Sequence, residues 1–331
     1  MRVFHLICTI CDKISRIKET GDYMNSKSQK TSLSNILLKT LAILTTIGIL
    51  LVVMAGALVT KTGSGEGCGA NWPLCHDRLI PENPTPETII EYTHRLVTGV
   101  VGLLILSFSI WMAIKYRHIR EIRFVIYSAI FFLLLQSALG ALAVLYGQSS
   151  AIKALHFGFS LLSFASILLL CIYVFQLTNK QALPSSLATS KTRLYLLLLF
   201  VYTYIVVYIG AYVRHTGSSM GCAGWPLCNG QFIPELTGQT GIQFGHRIAA
   251  LLLFIFFVAF YIHTKKHLRQ DIILYRGSLW LALLCFLQVL SGGLLILSGI
   301  HLIPSLIHAF LISILFGILC YLILYVLRPN K

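Results

Sequence analysis

IIEYTHRLVTGVVGLLIL (residues 89–106) places a glutamate, a histidine and an arginine at the head of an apolar run that continues to Tyr116. A run of that length belongs in lipid. In a hydrocarbon core no water satisfies free backbone N–H and C=O groups, so the run must be helical, and each crossing takes roughly 20 residues. Eight stretches qualify: Ile36–Thr60, Tyr92–Tyr116, Phe124–Tyr146, Ile152–Leu177, Leu194–Val213, Phe244–His263, Gly277–Gly299 and Ile303–Leu327. The 331 residues are 56% hydrophobic and 11% charged, which excludes a water-soluble globular protein. The expected fold class is an all-α integral membrane protein with eight transmembrane helices.

The formal net charge of +15 raises the question of a nucleic-acid partner, and its distribution answers it. Basic residues gather in the amino-terminal segment, in KYRHIREIR (115–123), between Lys180 and Arg193, in HTKKHLRQ (263–270) and in the terminal RPNK. These are alternate loops and both termini, the pattern of segments retained in the cytoplasm beside anionic lipid. Loops 61–91 and 214–243 hold most of the acidic residues and are expected outside. The partner of the positive charge is the membrane, not nucleic acid. Residues 1–35 read as a polar cytoplasmic tail whose apolar Val3–Ile10 is too short to span, with Met24 a candidate start; Cys8 and Cys11 are a lone CxxC to which no function is given.

The chain repeats itself. GALVTKTGSGEGCGANWPLC (56–75) aligns with GAYVRHTGSSMGCAGWPLC (210–228) across a single gap, EYTHRL (91–96) with QFGHRI (243–248), and QSALGALAVLYG (136–147) with QVLSGGLLILSG (288–299). ALHFGFS (154–160) aligns with LIHAFLI (306–312) through its histidine. For the histidines, 246 minus 94 and 308 minus 156 both give 152, the offset that also relates Gln136 to Gln288. Four helices per copy is an even number, so both copies face the same way. The expected architecture is two four-helix bundles, 36–178 and 193–331, related by a pseudo-two-fold along the membrane normal and joined by a cytoplasmic linker, 179–192.

Of eleven histidines, seven fall in tails, loops or at membrane edges. His94, His156, His246 and His308 instead sit near the outer ends of the second and fourth helix of each copy, and ionisable groups within spans are costly and usually functional. Two imidazoles at one depth on different helices can ligate one iron from opposite faces, so the sequence reads as two bis-histidine haem sites. Zinc is the competing ion, but it asks for a compact set of four ligands that is not visible. Arg95 and Arg247 each follow a candidate ligand; they read either as contacts to haem propionates or as interfacial anchors.

Cys68 with Cys75, and Cys222 with Cys228, lie in the two outer loops, where an oxidising compartment favours short-range disulfides Cys68–Cys75 and Cys222–Cys228. Each is either a staple for the WPLC turn, with Trp72 and Trp225 at the interface, or a redox element, which would need an exposed bond. Cys171, Cys285 and Cys320 fall within spans and read as packing residues. The copies diverge at one telling place. Glu91 lies three residues before His94, on one helix face, and its counterpart is Gln243. Losing a carboxylate while keeping both histidines predicts a reactive first site and a cofactor or electron-transfer second site.

Taken together, EYTHR, GHR, the two later histidines, the WPLC loops and the duplicated bundle resemble the haem A synthase family, in its bacterial form with paired outer-loop cysteines, over roughly 36–327. The resemblance implies that the amino-terminal half binds haem O through His94 and His156 and that the carboxy-terminal half binds a haem b cofactor through His246 and His308. It implies that Glu91 is the essential carboxylate, as a stabiliser of positive charge or as a base, and that Cys68–Cys75 is a functional disulfide. The implied activity is oxidation of a porphyrin methyl of haem O to a formyl by successive hydroxylations, giving haem A for terminal oxidases. Implied partners are a haem O synthase in the same membrane, the cytochrome oxidase assembly route and an electron acceptor whose identity the sequence does not specify; homo-oligomerisation is compatible with it. Two rivals fit the duplication and the histidines, a dihaem b-type electron-transfer protein and a haem transporter or chaperone, but neither gives Glu91 a task. The amino-terminal extension has no counterpart in the family pattern.

Overall fold

The computed structural model describes residues 33–146, 149–179 and 183–328. Cys8, Cys11, Met24, nearly all of the expected tail and the first part of the expected linker lie outside the described residues. The described chain is a bundle of eight long helices: α1 (Leu33–Thr62), α2 (Pro86–Tyr116), α3 (Arg120–Leu145), α4 (Ser150–Thr178), α5 (Ser190–His215), α6 (Gly238–His267), α7 (Ile272–Leu297) and α8 (Leu302–Leu327). All eight are long and apolar enough to cross a membrane, which makes this a multi-pass membrane protein.

Several helices begin earlier than the apolar runs suggest, because capping rather than hydropathy sets their starts. At α2 the Thr85 hydroxyl accepts from Thr88 N at 3.2 Å and Pro86 takes the first helical position, so the polar PETIIE segment is already helical. Glu91, His94 and Arg95 therefore lie in the second and third turns of α2, not at its mouth. Thr189 caps α5 through Thr192 N, and Asp271 caps α7 through Leu274 N.

Contacts close α1, α2, α3 and α4 into one ring and α5, α6, α7 and α8 into another. The two rings meet where α4 packs on α5 and α8, and where α1 packs on α8. α4 and α8 are accordingly the most buried helices. Gly317 of α8 lets the crossing close up, since a Cβ there would lie 2.6 Å from Leu168 Cδ2 of α4.

At the end away from the cysteine loops, polar groups join the rings. Arg328, just past α8, donates to Glu121 of α3 at 2.8 Å and to Pro184 O at 3.2 Å, while Tyr173 of α4 donates to Glu121 at 2.9 Å. Asp271 accepts from Ser186 Oγ, Leu187 N and the Tyr325 hydroxyl, fixing the described part of the linker. Buried charges of this kind are tolerated because each has several partners.

Placing a leucine at Gly317 forces Leu168 aside at the contact between the rings. Gly317→Leu is expected to destabilise the purified protein by about 1–3 kcal/mol. Gly99→Ala, whose new Cβ meets nothing within 4 Å, is expected to be neutral or mildly stabilising. Thermal unfolding of the two variants in one detergent makes the comparison, and equal melting temperatures would reject the crossing assigned here.

Candidate functional site

Each of the four histidines faces a glycine on the preceding helix. A Cβ added at Gly56 would stand 3.6 Å from His94 Cε1, at Gly140 3.1 Å from His156 Cε1, at Gly210 2.8 Å from His246 Cε1, and at Gly292 3.3 Å from His308 Cε1. With a larger residue opposite, the ring edge could not approach the neighbouring backbone. All four glycines lie in the stretches that align between the copies, so the signal was present in the sequence and sequence reasoning passed over it.

The rings form two couples. His94 lies within electrostatic range of His156, and His246 within range of His308. His156 Nδ1 is 2.7 Å from Gln136 O, an atom that can only accept, so this nitrogen carries the proton and Nε2 keeps its lone pair. His308 reaches the same tautomer by other means: the Gln288 amide nitrogen donates to Nε2 at 3.1 Å, leaving Nδ1–H to donate to Ser291 Oγ at 2.8 Å. The buried Nδ1 atoms of His94 and His246 have no hydrogen-bond partner. Among the described residues no three His, Cys, Asp or Glu side chains converge on one point. Two imidazoles per couple, each with a glycine behind the ring, suit an iron that arrives with four equatorial ligands of its own, with His308 Nε2 exchanging its Gln288 donor for the metal.

Above the first couple stands a clamp. Glu91 is 3% exposed; its Oε2 accepts from Cys68 N at 2.8 Å and its Oε1 from Arg95 Nε at 3.1 Å, with Arg95 Nη2 paired to the same oxygen. Arg95 Nη1 also donates to Asn71 O at 2.6 Å and Leu74 O at 2.7 Å, inside the cysteine loop. Glu91 and Asp271 are the two buried carboxylates among the described residues, and Asp271 caps α7 at the opposite end of the bundle. A further apolar cleft of about 200 Å³ beside His94 is lined by Ala55, Leu58, Ile89, Ile90, Thr93 and Val97.

The second couple has the same clamp without the ion pair. Arg247 donates to Leu227 O at 3.1 Å and to Cys222 O and Gly224 O at 2.9 Å each. Gln243 is buried, and its Oε1 has no partner. Both arginines read from the sequence as propionate contacts or anchors thus direct donors to loop carbonyls.

The loops share one local design. Gly63 and Gly217, both at φ 70°, end α1 and α5 in the left-handed conformation that leads into short 3₁₀ turns, Ser64–Glu66 and Ser218–Met220. Thr88 then donates to Gly67 O at 2.7 Å and Thr240 to Gly221 O at 2.8 Å, docking each loop on the first turn of the next helix. Cys68 is bonded to Cys75, and Cys222 to Cys228. All four sulfur-bearing residues are buried, so a reductant reaches either bond only after its loop opens. Trp225 lies against Gly293 of α7, beside Gly292 and the His308 ring, whereas Trp72 is half exposed. Cys171, Cys285 and Cys320 are buried within helices.

Sequence reasoning missed Arg214 as well. It occupies the last turn of α5, and its Nη2 donates to Ala57 O of α1 at 3.1 Å, next to the glycine that backs His94. The aligned VTKTG and VRHTG stretches carried the signal, because Arg214 replaces Thr60 there.

Comparison with known proteins adds the family. Residues 39–320 match a family model, COX15-CtaA, described as cytochrome oxidase assembly protein. A Bacillus licheniformis protein named Heme A synthase is 46% identical over 296 residues, covering 89% of this chain and 97% of its own length. Proteins of the same name from Lysinibacillus sphaericus and Halalkalibacterium halodurans are each 44% identical, covering 88% and 89% of this chain and 96% and 98% of their own lengths.

Hydrogen bonds to charged groups contribute about 1.5–3 kcal/mol each, so the arginines are a large part of what holds the loops. Arg95→Met and Arg247→Met are each expected to speed amide hydrogen exchange at least about ten-fold across their own loop, 68–78 or 222–231, and to leave the helices protected. If exchange does not change, the disulfides alone fix the loops.

Proposed function

The chain belongs to the COX15-CtaA family of cytochrome oxidase assembly proteins and is an enzyme of haem A synthesis, acting on haem O to give haem A; from that premise we propose which residues do the work. His94 and His156 hold the iron of the substrate haem O. His246 and His308 hold a haem b cofactor. The observation that carries the division is the Glu91–Arg95–Cys68 clamp over the first couple, set against the uncharged Gln243 over the second. A dihaem electron carrier or a haem transporter would have no use for that difference.

The reaction converts a porphyrin methyl to a formyl with water as the source of oxygen. Two successive two-electron oxidations, each with loss of two protons, add two hydroxyls to one carbon. The resulting diol loses one water, so one water is consumed net, four protons go to solvent and four electrons go to an external electron acceptor. Positive charge develops at the methyl carbon as electrons depart. Glu91 serves as its counter-charge: a buried carboxylate stabilises a cation far more strongly than one in water, and its two donors fix its direction before reaction. Arg95 holds Glu91 and the loop together, so the clamp both aims the carboxylate and shields the carbon from bulk water. Haem b, which His246 and His308 would hold, would supply a one-electron redox centre.

His156 is aimed by Gln136 O and His308 by Ser291, and such outer contacts fix tautomer and ring orientation for a metal. The basic alternate loops favour termini in the cytoplasm and cysteine loops outside, a side on which an oxidising compartment would keep the disulfides. Haem O is too apolar to cross water readily, which favours delivery within the membrane by a haem O synthase.

In cells supplied with haem O, Glu91→Gln is expected to retain haem while haem A falls by about two to three orders of magnitude, with haem O or its hydroxylated form accumulating. Pigment extraction and chromatography give the result, and normal haem A would remove Glu91 from the mechanism. His246→Met is expected to lose haem b from the purified protein; unchanged haem b content would reject the cofactor site.

A further inference from the structure

We propose that Arg214 binds a propionate carboxylate of the cofactor held between His246 and His308, and that the same guanidinium ties this site to α1 of the other ring. The inference rests on the cofactor reading above and adds to it the residue that receives the carboxylate end of the ring.

Position is the first ground. Gly210 backs the His246 ring, and Arg214 lies one helical turn further along α5 on the same face, toward the end that carries the cysteine loops. Its guanidinium is within electrostatic range of His308, on the other side of the couple. Arg214 thus lies one turn beyond the glycine that backs His246 and within electrostatic range of His308, at the end of the helices that carries the cysteine loops.

Its hydrogen bonds are the second ground. The side chain is partly buried, and its Nη2 donates to Ala57 O at 3.1 Å. Among the described residues the ion pairs are Arg78–Glu82, Arg95–Glu91 and Arg328–Glu121; Arg214 has no carboxylate partner. A guanidinium carries five N–H donors in a planar fork suited to a carboxylate, and a partly buried charge without a counter-charge is unfavourable. Arg95 and Arg247, the arginines that follow the histidines, already serve the loops. Arg214 is the one whose position and remaining donors match an incoming carboxylate.

The third ground is the asymmetry between copies. In the gapless alignment of 56–65 with 210–219 the counterpart of Arg214 is Thr60, whose hydroxyl turns back to Gly56 O at 3.0 Å. At this position the cation is therefore found in the second copy alone, as the Glu91 carboxylate is found in the first copy alone.

The test uses the full-length protein purified with haem b and without haem O, comparing Arg214→Gln with Arg214→Lys. Glutamine keeps a donor for Ala57 O and removes the charge; lysine keeps the charge. Midpoint potential by optical redox titration and haem loss to apomyoglobin are the readouts. A cation beside the ring stabilises the reduced, more negative state, so Arg214→Gln is expected to lower the potential and to speed haem loss about ten-fold, with lysine restoring most of both. Glutamine and lysine behaving alike, or a lower melting temperature with the haem properties of the folded fraction unchanged, would mean that Arg214 only bridges helices. Failure of the cofactor reading itself is seen separately, as haem b retained in His246→Met.

Discussion

A bulky imidazole at a helix–helix contact requires that something be missing opposite it. Here the missing group is a side chain, at Gly56, Gly140, Gly210 and Gly292, and the rest of the site follows from those four gaps. They let α1 approach α2, α3 approach α4, α5 approach α6 and α7 approach α8 while keeping a titratable ring between each pair. They also fix where the rings lie along the helices, near the cysteine loops, because the same helices end one to two turns later. An alanine at Gly210 would place its Cβ 2.8 Å from His246 Cε1, closer than unbonded carbons come, so the imidazole ring or the helix would have to shift.

The loops are built on that foundation rather than beside it. Each begins at a left-handed glycine, turns through a 3₁₀ segment, closes with a disulfide and is held by an arginine one residue past a histidine. The arginine belongs to the helix and its acceptors belong to the loop, so histidine placement and loop placement are mechanically one feature. In the first half Glu91 joins them by accepting from Cys68 N and pairing with Arg95. The carboxylate most expected to carry chemistry is thereby fixed by the loop that covers it.

Much of this was legible in the sequence, and the reasons for the rest are specific. Eight spans followed from lipid's intolerance of unpaired backbone groups, and the repeat followed from self-comparison. The start of α2 did not, because a threonine cap and a proline open it in polar sequence that hydropathy counts as loop. Glu91 was legible through its difference from Gln243. The partners of Arg95 and Arg247 were not, since loop carbonyls leave no trace in residue identity. Arg214 sat in plain view within the aligned VRHTG, but a basic residue at a span's end reads as an interfacial anchor until its neighbours are known. The network of Arg328, Glu121 and Tyr173 joins residues more than 150 positions apart and has no local signature.

On the proposed reading the two divergences between the copies act in one direction. Glu91 places negative charge beside the first couple, where a substrate losing electrons becomes more positive, and so makes that oxidation easier. Arg214 places positive charge beside the second couple, where a cofactor gaining an electron becomes more negative, and so makes that reduction easier. A symmetric duplicate would give both haems the same electrostatic surroundings and no bias for electrons to move from one to the other. Exchanging one carboxylate for an amide in one half, and one threonine for an arginine in the other, creates the bias without altering the histidines or the glycines that both halves need. On this reading the scaffold can stay duplicated while the few charges that do not repeat set the two sites apart.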